Sequence, residues 1–111
     1  MIAIFDHRVR HDLDDAFNWL EEQQTGLSLE LRLDLQRLMV SVKSDPLQFG
    51  PWLGTRHQDQ IRASLIGKFG YVLIFKVLVE RGLVLILSAQ HGHRRPGAWK
   101  ARLKTFRPEN E

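Results

Sequence analysis

The run HGHRRPGAW, residues 91–99, gathers the groups that could handle a phosphate. Imidazole titrates near neutral pH, so His91 could act as the general acid or base of RNA cleavage. The guanidiniums of Arg62, Arg94 and Arg95 could pair with phosphate oxygens and stabilise the charge that develops on them. These residue types therefore admit a ribonuclease site, although their order along the chain does not fix its geometry.

The same run also has structural interpretations. Arg94 or Arg95 could pair with an acid of the first helix, such as Asp14 or Asp15, and Trp99 could be a core residue that folds the tail over a sheet. Two histidines spaced i, i+2 in a chain without cysteine give weak support for a metal site. We therefore expect no metal and no cofactor.

Charge is distributed unevenly along the 111 residues, which we interpret as one domain, 1–111. Residues 1–59 carry six Lys/Arg against ten Asp/Glu, whereas residues 60–107 carry ten against one, a net charge of +9. This asymmetry predicts a polyanionic or acidic partner. The longest apolar run, residues 71–79, is too short to span a membrane and no signal peptide is evident, so we expect a cytoplasmic protein without membrane association.

The N-terminal half predicts a strand over 2–5 and two helices over 7–24 and 27–44, because apolar residues recur there at helical spacing. Leu29 and Leu33 point away from the main apolar stripe of the second helix. We expect them to pack against the first helix; the alternative is an exposed apolar surface for a partner.

After a Pro- and Gly-rich loop over 44–57, three strand-like runs at 60–66, 71–79 and 83–90 are separated by turn signals. The predicted fold class is α+β: an N-terminal strand, a two-helix hairpin packed on an antiparallel three-stranded meander, and a short C-terminal segment. The helices cover one face of the sheet, so the other face needs the C-terminal segment or a partner.

The segments QIRASLIGKFGYVLIFKV, LVLILSAQHGHRRPGAW and KARL, in this order, resemble the RelE/ParE toxin superfamily of bacterial toxin–antitoxin systems. The likeness spans about 5–102, and Gly70 stands where the family often has proline. The positions of the family pattern are filled by Arg62, Phe69, Tyr71, His91, Arg94 or Arg95, Pro96 and Trp99.

The resemblance implies a type II toxin of a plasmid-stabilisation system, held in a hetero-oligomer with a cognate antitoxin. ParE-like members inhibit DNA gyrase, whereas RelE-like members cut mRNA on the ribosome. No tyrosine follows Tyr71, and Lys68 is the only lysine between Arg62 and Tyr71. Both features favour the ParE-like branch. The alternative is a RelE-like endoribonuclease with His91, Arg62, Arg94 and Arg95 as catalytic residues. The residues expected to bind the target or the antitoxin are Leu29, Leu33, Lys68, Arg95, Trp99 and Arg102.

Overall fold

A computed structural model describes residues 1–94 and 97–109 of the chain. The two long helices end within one residue of the predicted bounds, and short 3-10 turns occupy the predicted loop. The elements are β1 (Ile2–Phe5), α1 (His7–Gln23), α2 (Leu27–Ser44), β2 (Ile61–Leu65), β3 (Tyr71–Leu78), β4 (Leu83–His91) and α3 (Ala98–Lys104).

The sheet has four strands in the order β1-β4-β3-β2, and the expected three-stranded sheet was wrong in this respect. Strands β2, β3 and β4 form the predicted antiparallel meander, but β1 joins it as an edge strand parallel to β4, with Ile2 opposite Leu83. A four-residue apolar strand carries no local signal for its partner, because its pairing depends on where the later strands lie. The sheet is therefore mixed.

One extra residue in β4 decides which side chains share a face at the end of the sheet. Leu87 lies between the residues that pair with Phe75 and Ile74, so the register shifts there, as at a β-bulge. Beyond the shift, His91 lies directly opposite Tyr71. The two side chains are thereby placed together at the end where β3 begins and β4 finishes.

Helices α1 and α2 cover one face of the sheet. Asp6 caps α1 by accepting a hydrogen bond from the Arg8 N–H at 3.0 Å, and the apolar stripe that follows points inward. Leu31 and Val42 of α2 are fully buried, in agreement with the predicted stripe. The core on this face consists of Val9, Ala16, Phe17, Leu20, Leu31, Val42, Ile66, Tyr71, Leu73, Phe75, Val77, Val84, Ile86 and Ala89.

The opposite face of the sheet is covered by the C-terminal segment of the chain itself, one of the two expected solutions. Trp99 of α3 is 8% exposed and packs with Ile61, Ile74 and Leu87 of the three meander strands. Trp52, from the loop before β2, packs against the same cluster. This packing supports the interpretation of Trp99 as a core residue that folds the tail over the sheet.

Leu29 and Leu33 do not pack against α1, and this expectation was wrong. Their side chains are 59% and 42% exposed, and Val40 on the same helix is 69% exposed. Arg32 is one of the residues by which α2 contacts α1, and its guanidinium carbon lies 3.9 Å from the centroid of the Phe17 ring. The two leucines lie on the solvent side of α2.

Candidate functional site

A cleft of about 310 Å³ opens where β3 begins and β4 ends. Of the described residues, those that line it are Trp19 from α1, Tyr71 from β3, His91 from β4 and Arg94 from the turn that follows. The Arg94 N–H donates to the His91 carbonyl at 2.9 Å, so the chain turns back at the mouth of the cleft. Three separate elements and one tight turn thus bring three rings and one guanidinium together.

The His91 ring is fixed from several sides. It meets the Tyr71 ring edge to face, with centroids 5.5 Å apart, and the His93 N–H approaches its Nδ1 at 3.4 Å. It also lies over Gly70, where a Cβ would come within 2.5 Å of His91 Nε2. Gly70 has φ +87°, so glycine at this position serves both the turn and the close approach of the imidazole.

Tyr71 is a nearly buried phenol, 8% exposed. Burial raises the pKa of Tyr71; the charge of Arg94 lowers it and that of Asp15 raises it, and the net shift is upward. The hydroxyl therefore stays protonated at neutral pH and can donate a hydrogen bond, but it is not a phenolate nucleophile.

Trp19 was missed by the sequence reasoning. Its side chain is 54% exposed and belongs to neither of the two core clusters. The signal was present, because Trp19 falls off the apolar stripe of α1, between the acidic residues Asp15 and Glu22. A large aromatic side chain on the polar face of a helix marks a contact surface more often than a core position.

Arg62 does not join His91. It lies opposite Phe75, whereas His91 lies opposite Tyr71, four residues earlier along β3. At about 3.3 Å per residue, these two rows of the sheet are about 13 Å apart.

The Arg62 guanidinium is also fully engaged elsewhere. It donates to the carbonyl of Leu47 at 3.3 Å, to the carbonyl of Phe49 and to the side-chain oxygen of Gln60 at 2.8 Å. These bonds tie β2 to the loop before it. Among the described members of the nuclease set, the structure therefore brings His91 and Arg94 together and leaves Arg62 apart.

Arg102 is an internal residue, which corrects its expected place on a binding surface. It is 8% exposed, its Nη2 donates to Asp12 at 2.9 Å, and its Nη1 donates to the Leu87 carbonyl at 3.0 Å. The Asp12 carboxylate also accepts from the Ala89 N–H at 3.1 Å. Arg102 and Asp12 thus form a buried ion pair between the C-terminal segment and α1.

The remaining expected residues have distinct environments. Lys68, in the turn between β2 and β3, is 72% exposed and pairs with Glu30 of α2 at 3.0 Å. Arg94 forms no ion pair with Asp14 or Asp15 within the described residues. Arg95 and Pro96 lie outside the described residues.

Exposed cations gather where the chain leaves β4. Lys100 and Lys104 are exposed and lie one turn apart on α3. Lys100 lines a second cleft, of about 380 Å³, together with Trp52 and Gly92. Trp52 and Gly92 also line a small adjoining pocket, and Arg94 lines that pocket as well. We call Arg94, Lys100 and Lys104 the exit face.

Over 1–94 and 97–109, no helix combines the length and apolar character that a bilayer crossing requires. In the same part of the chain, no three His, Asp or Glu side chains come together as a metal site would need. No protein-family model, curated protein or solved structure matches this chain. The class that the structure defines is an α+β protein whose four-stranded mixed sheet lies between a helical pair and a short C-terminal helix.

Proposed function

We propose that this chain is the toxin of a bacterial type II toxin–antitoxin pair, and that it acts in the cytoplasm by binding and inhibiting DNA gyrase in the ParE-like manner. The order of elements and the residues of the RelE/ParE pattern support the toxin assignment. The dispersal of the cations that a nuclease would need supports inhibition by binding.

The dispersal of these cations is the observation that favours gyrase inhibition over RNA cleavage. Cleavage of a phosphodiester requires several cations around one phosphate, in addition to an acid and a base. Arg62 donates to backbone carbonyls of the preceding loop, and Arg102 is buried against Asp12. Of the described arginines in the two expected sets, only Arg94 lines the cleft with His91. Among the described residues of the nuclease set, one arginine beside one imidazole suits binding better than phosphate chemistry.

The exit face is the surface that we assign to the target. Its lysines extend from α3, which packs on the sheet through Trp99, so two positive charges lie one turn apart on this face. Charge at the rim of an interface mainly steers association. We expect the double variant Lys100→Glu, Lys104→Glu to need about tenfold more protein than wild type to inhibit gyrase supercoiling.

The double variant Arg37→Glu, Arg81→Glu is the matched control, because it changes the net charge by the same amount at two exposed sites away from α3, on α2 and at the opposite end of the β3–β4 hairpin. It should inhibit supercoiling as wild type does. Absence of inhibition by saturating wild-type protein would refute gyrase as the target. Equal loss in both variants would instead assign the effect to overall charge.

The antitoxin is proposed to cover the outer stripe of α2, formed by Leu29, Leu33 and Val40. The stripe follows one side of a helix and is exposed, which suits an amphipathic partner segment. Leu33→Asp should remain toxic yet escape rescue by the co-expressed antitoxin, whereas Val79→Asp, at an exposed site in a distant turn, should be rescued. Rescue of both variants would place the antitoxin elsewhere.

The Trp19–Tyr71–His91–Arg94 cleft favours a second candidate, a RelE-like endoribonuclease that cuts mRNA on the ribosome. His91 would be its acid or base, with Arg94 on the phosphate and Arg95 as the further cation of that hypothesis, whereas Arg62 lies apart from them. Cleavage of transcripts in a translating extract, abolished by His91→Ala, would support it. Intact transcripts beside clear growth arrest would exclude it.

A further inference from the structure

We propose that the cleft of about 380 Å³ beside the exit face takes one apolar anchor side chain from an acidic segment of a partner protein. We call it the indole cleft, because Trp52 and Trp99 line it together with Leu53 and Lys100. This assignment rests on the proposed function only in so far as the exit face meets a protein, and it does not require that protein to be gyrase.

The walls of the indole cleft are apolar and low. Besides the two indoles, Leu53 and Lys100, the described residues that line it are three glycines, and none is a carboxylate. A Cβ added to Gly54 or Gly97 would meet nothing within 4 Å, so these glycines leave the sides of the cleft open. Its volume lies within the range of about 300–1,000 Å³ of ligand pockets, which is room for one large apolar side chain.

Leu53 is presented to solvent by a closed turn. Its side chain is 84% exposed. Thr55 donates to the Trp52 carbonyl from its N–H at 3.1 Å and from its hydroxyl at 2.6 Å, and Gly54 has φ +80°. These are the features of a type II β-turn with Leu53 at its corner. Since Trp52 donates in turn to the Ile61 carbonyl of β2 at 2.9 Å, the exposed leucine is ordered before any partner binds, which lowers the entropic cost of binding.

The floor of the indole cleft is continuous with the hydrophobic core on this face of the sheet. Trp52 and Trp99 belong to one apolar cluster with Ile61, Ile74 and Leu87. A partner side chain that enters the cleft would therefore extend a core that already exists. Large apolar anchors in well-packed pockets of this kind carry most of the binding free energy at protein interfaces.

The charge at the rim favours an acidic segment. Lys100 Nζ lies 5.6 Å from the centroid of the Trp99 ring, and Lys104 follows one turn later on α3. Arg94 lines the small pocket that adjoins the cleft. Carboxylates on either side of the anchor would be attracted by these three cations. A nucleic acid would be attracted as well, but Leu53 and the glycines offer no ring on which a base could stack.

The test is isothermal titration of the full chain with a capped pentapeptide that carries phenylalanine between two pairs of glutamates. We expect a Kd below about 1 mM. Replacement of the phenylalanine by alanine should raise the Kd at least about fivefold, because it removes the anchor. Replacement of the four glutamates by lysines should raise it at least about tenfold, because like charges then face each other at the rim.

The three tryptophans of the chain locate the bound peptide. In heteronuclear NMR spectra, the indole N–H signals of Trp52 and Trp99 should shift on titration, whereas that of Trp19, which lines the other cleft, should stay in place. The variants Trp52→Phe and Trp19→Phe assign the signals.

Two variants test the walls and the rim separately. Leu53→Ala should raise the Kd of the phenylalanine peptide about fivefold. Val79→Ala is its control, because Val79 is 50% exposed in the distant β3–β4 turn. Lys100→Gln should raise the Kd about two- to fivefold, and Lys43→Gln, at an exposed site on α2, is its control. Both controls should bind as wild type does.

Peptide binding that shifts Trp52 and that Leu53→Ala weakens would support the site even if supercoiling were not inhibited, and gyrase alone would then be refuted as the target. No binding at millimolar peptide would overturn the site, even beside clear inhibition of gyrase. Equal binding of the phenylalanine and alanine peptides, a shift of Trp19 in place of Trp52, or equal effects of Leu53→Ala and Val79→Ala would also overturn it. So would a five-nucleotide DNA strand that shifts Trp52 and binds more tightly than the peptide, since the cleft would then belong to a nucleic acid.

Discussion

The buried ion pair between Asp12 and Arg102 should be among the largest single contributions to the stability of this fold. It joins α1, β4 and α3, because Arg102 also donates to the Leu87 carbonyl and Asp12 also accepts from the Ala89 N–H. Strand β1 ends opposite Ile86, so these two side chains occupy the β4 edge just beyond it. Removing either partner leaves groups that cannot regain water without opening the structure.

The structure predicts which removal costs more. Breaking a buried ion pair by removing one partner costs about 3–5 kcal/mol. In Arg102→Met, the Asp12 carboxylate keeps its bonds from the Ala89 N–H and from Gln90 Nε2, at 3.1 and 3.2 Å, so the loss should lie near 3 kcal/mol. In Asp12→Ala, the buried Arg102 charge loses its partner and keeps only the Leu87 carbonyl as acceptor. Both of the other donors lose their acceptor, so the loss should lie near 5 kcal/mol.

Urea unfolding followed by far-UV circular dichroism measures this difference. At slopes of about 1–3 kcal/mol/M, a loss of 3 kcal/mol lowers the midpoint by about 1–3 M. Arg37→Met is the control, because Arg37 is 77% exposed in its pair with Asp34, and it should change stability by at most about 0.5 kcal/mol. Losses below about 1 kcal/mol for both buried variants, or a larger loss for Arg102→Met than for Asp12→Ala, would refute this reasoning.

Three further changes test other contacts. Burial by itself raises the pKa of Asp6, but hydrogen bonds from Arg8 and Arg107 outweigh it and hold the pKa below the ordinary 3.8. The stability that Asp6 contributes is therefore complete above pH 3.8 and is lost as the pH falls through the lower pKa of the folded state. Asp6→Asn should flatten the decline of the melting temperature below about pH 4. Gly70→Ala and Gly82→Ala should each lower the free energy of unfolding by about 1 kcal/mol or more in urea titration, because both glycines have positive φ. The loss should be larger for Gly70→Ala, because only Gly70 faces the His91 ring. Equal losses would contradict this packing. Hydrogen bonds from Ser28 and Gly26 lower the pKa of Glu21, so Glu21→Gln should speed amide exchange at the start of α2, and unchanged protection would exclude this capping role.

Much of the candidate site depended on information that a linear pattern does not carry. His91 and Arg94 were recognised by residue type, but their meeting with Tyr71 depends on the register shift at Leu87, which has no distinct sequence signature. Trp19 reaches the same cleft only because α1 crosses the end of the sheet. Arg62 was expected beside His91, since both fit one pattern, yet its position on β2 and its bonds to the preceding loop separate them.

The sequence by itself determined the local structure: the bounds of α1 and α2, the three meander strands with the turns between them, and the basic C-terminal half. These follow from periodicity, propensity and charge, which act between residues near in the chain. Only the tertiary structure decided that β1 lies parallel to β4, that Leu29 and Leu33 stay exposed, and that Arg102 is buried against Asp12. Each of these depends on which distant surfaces meet, and the free energy of such contacts is set by packing across the whole fold.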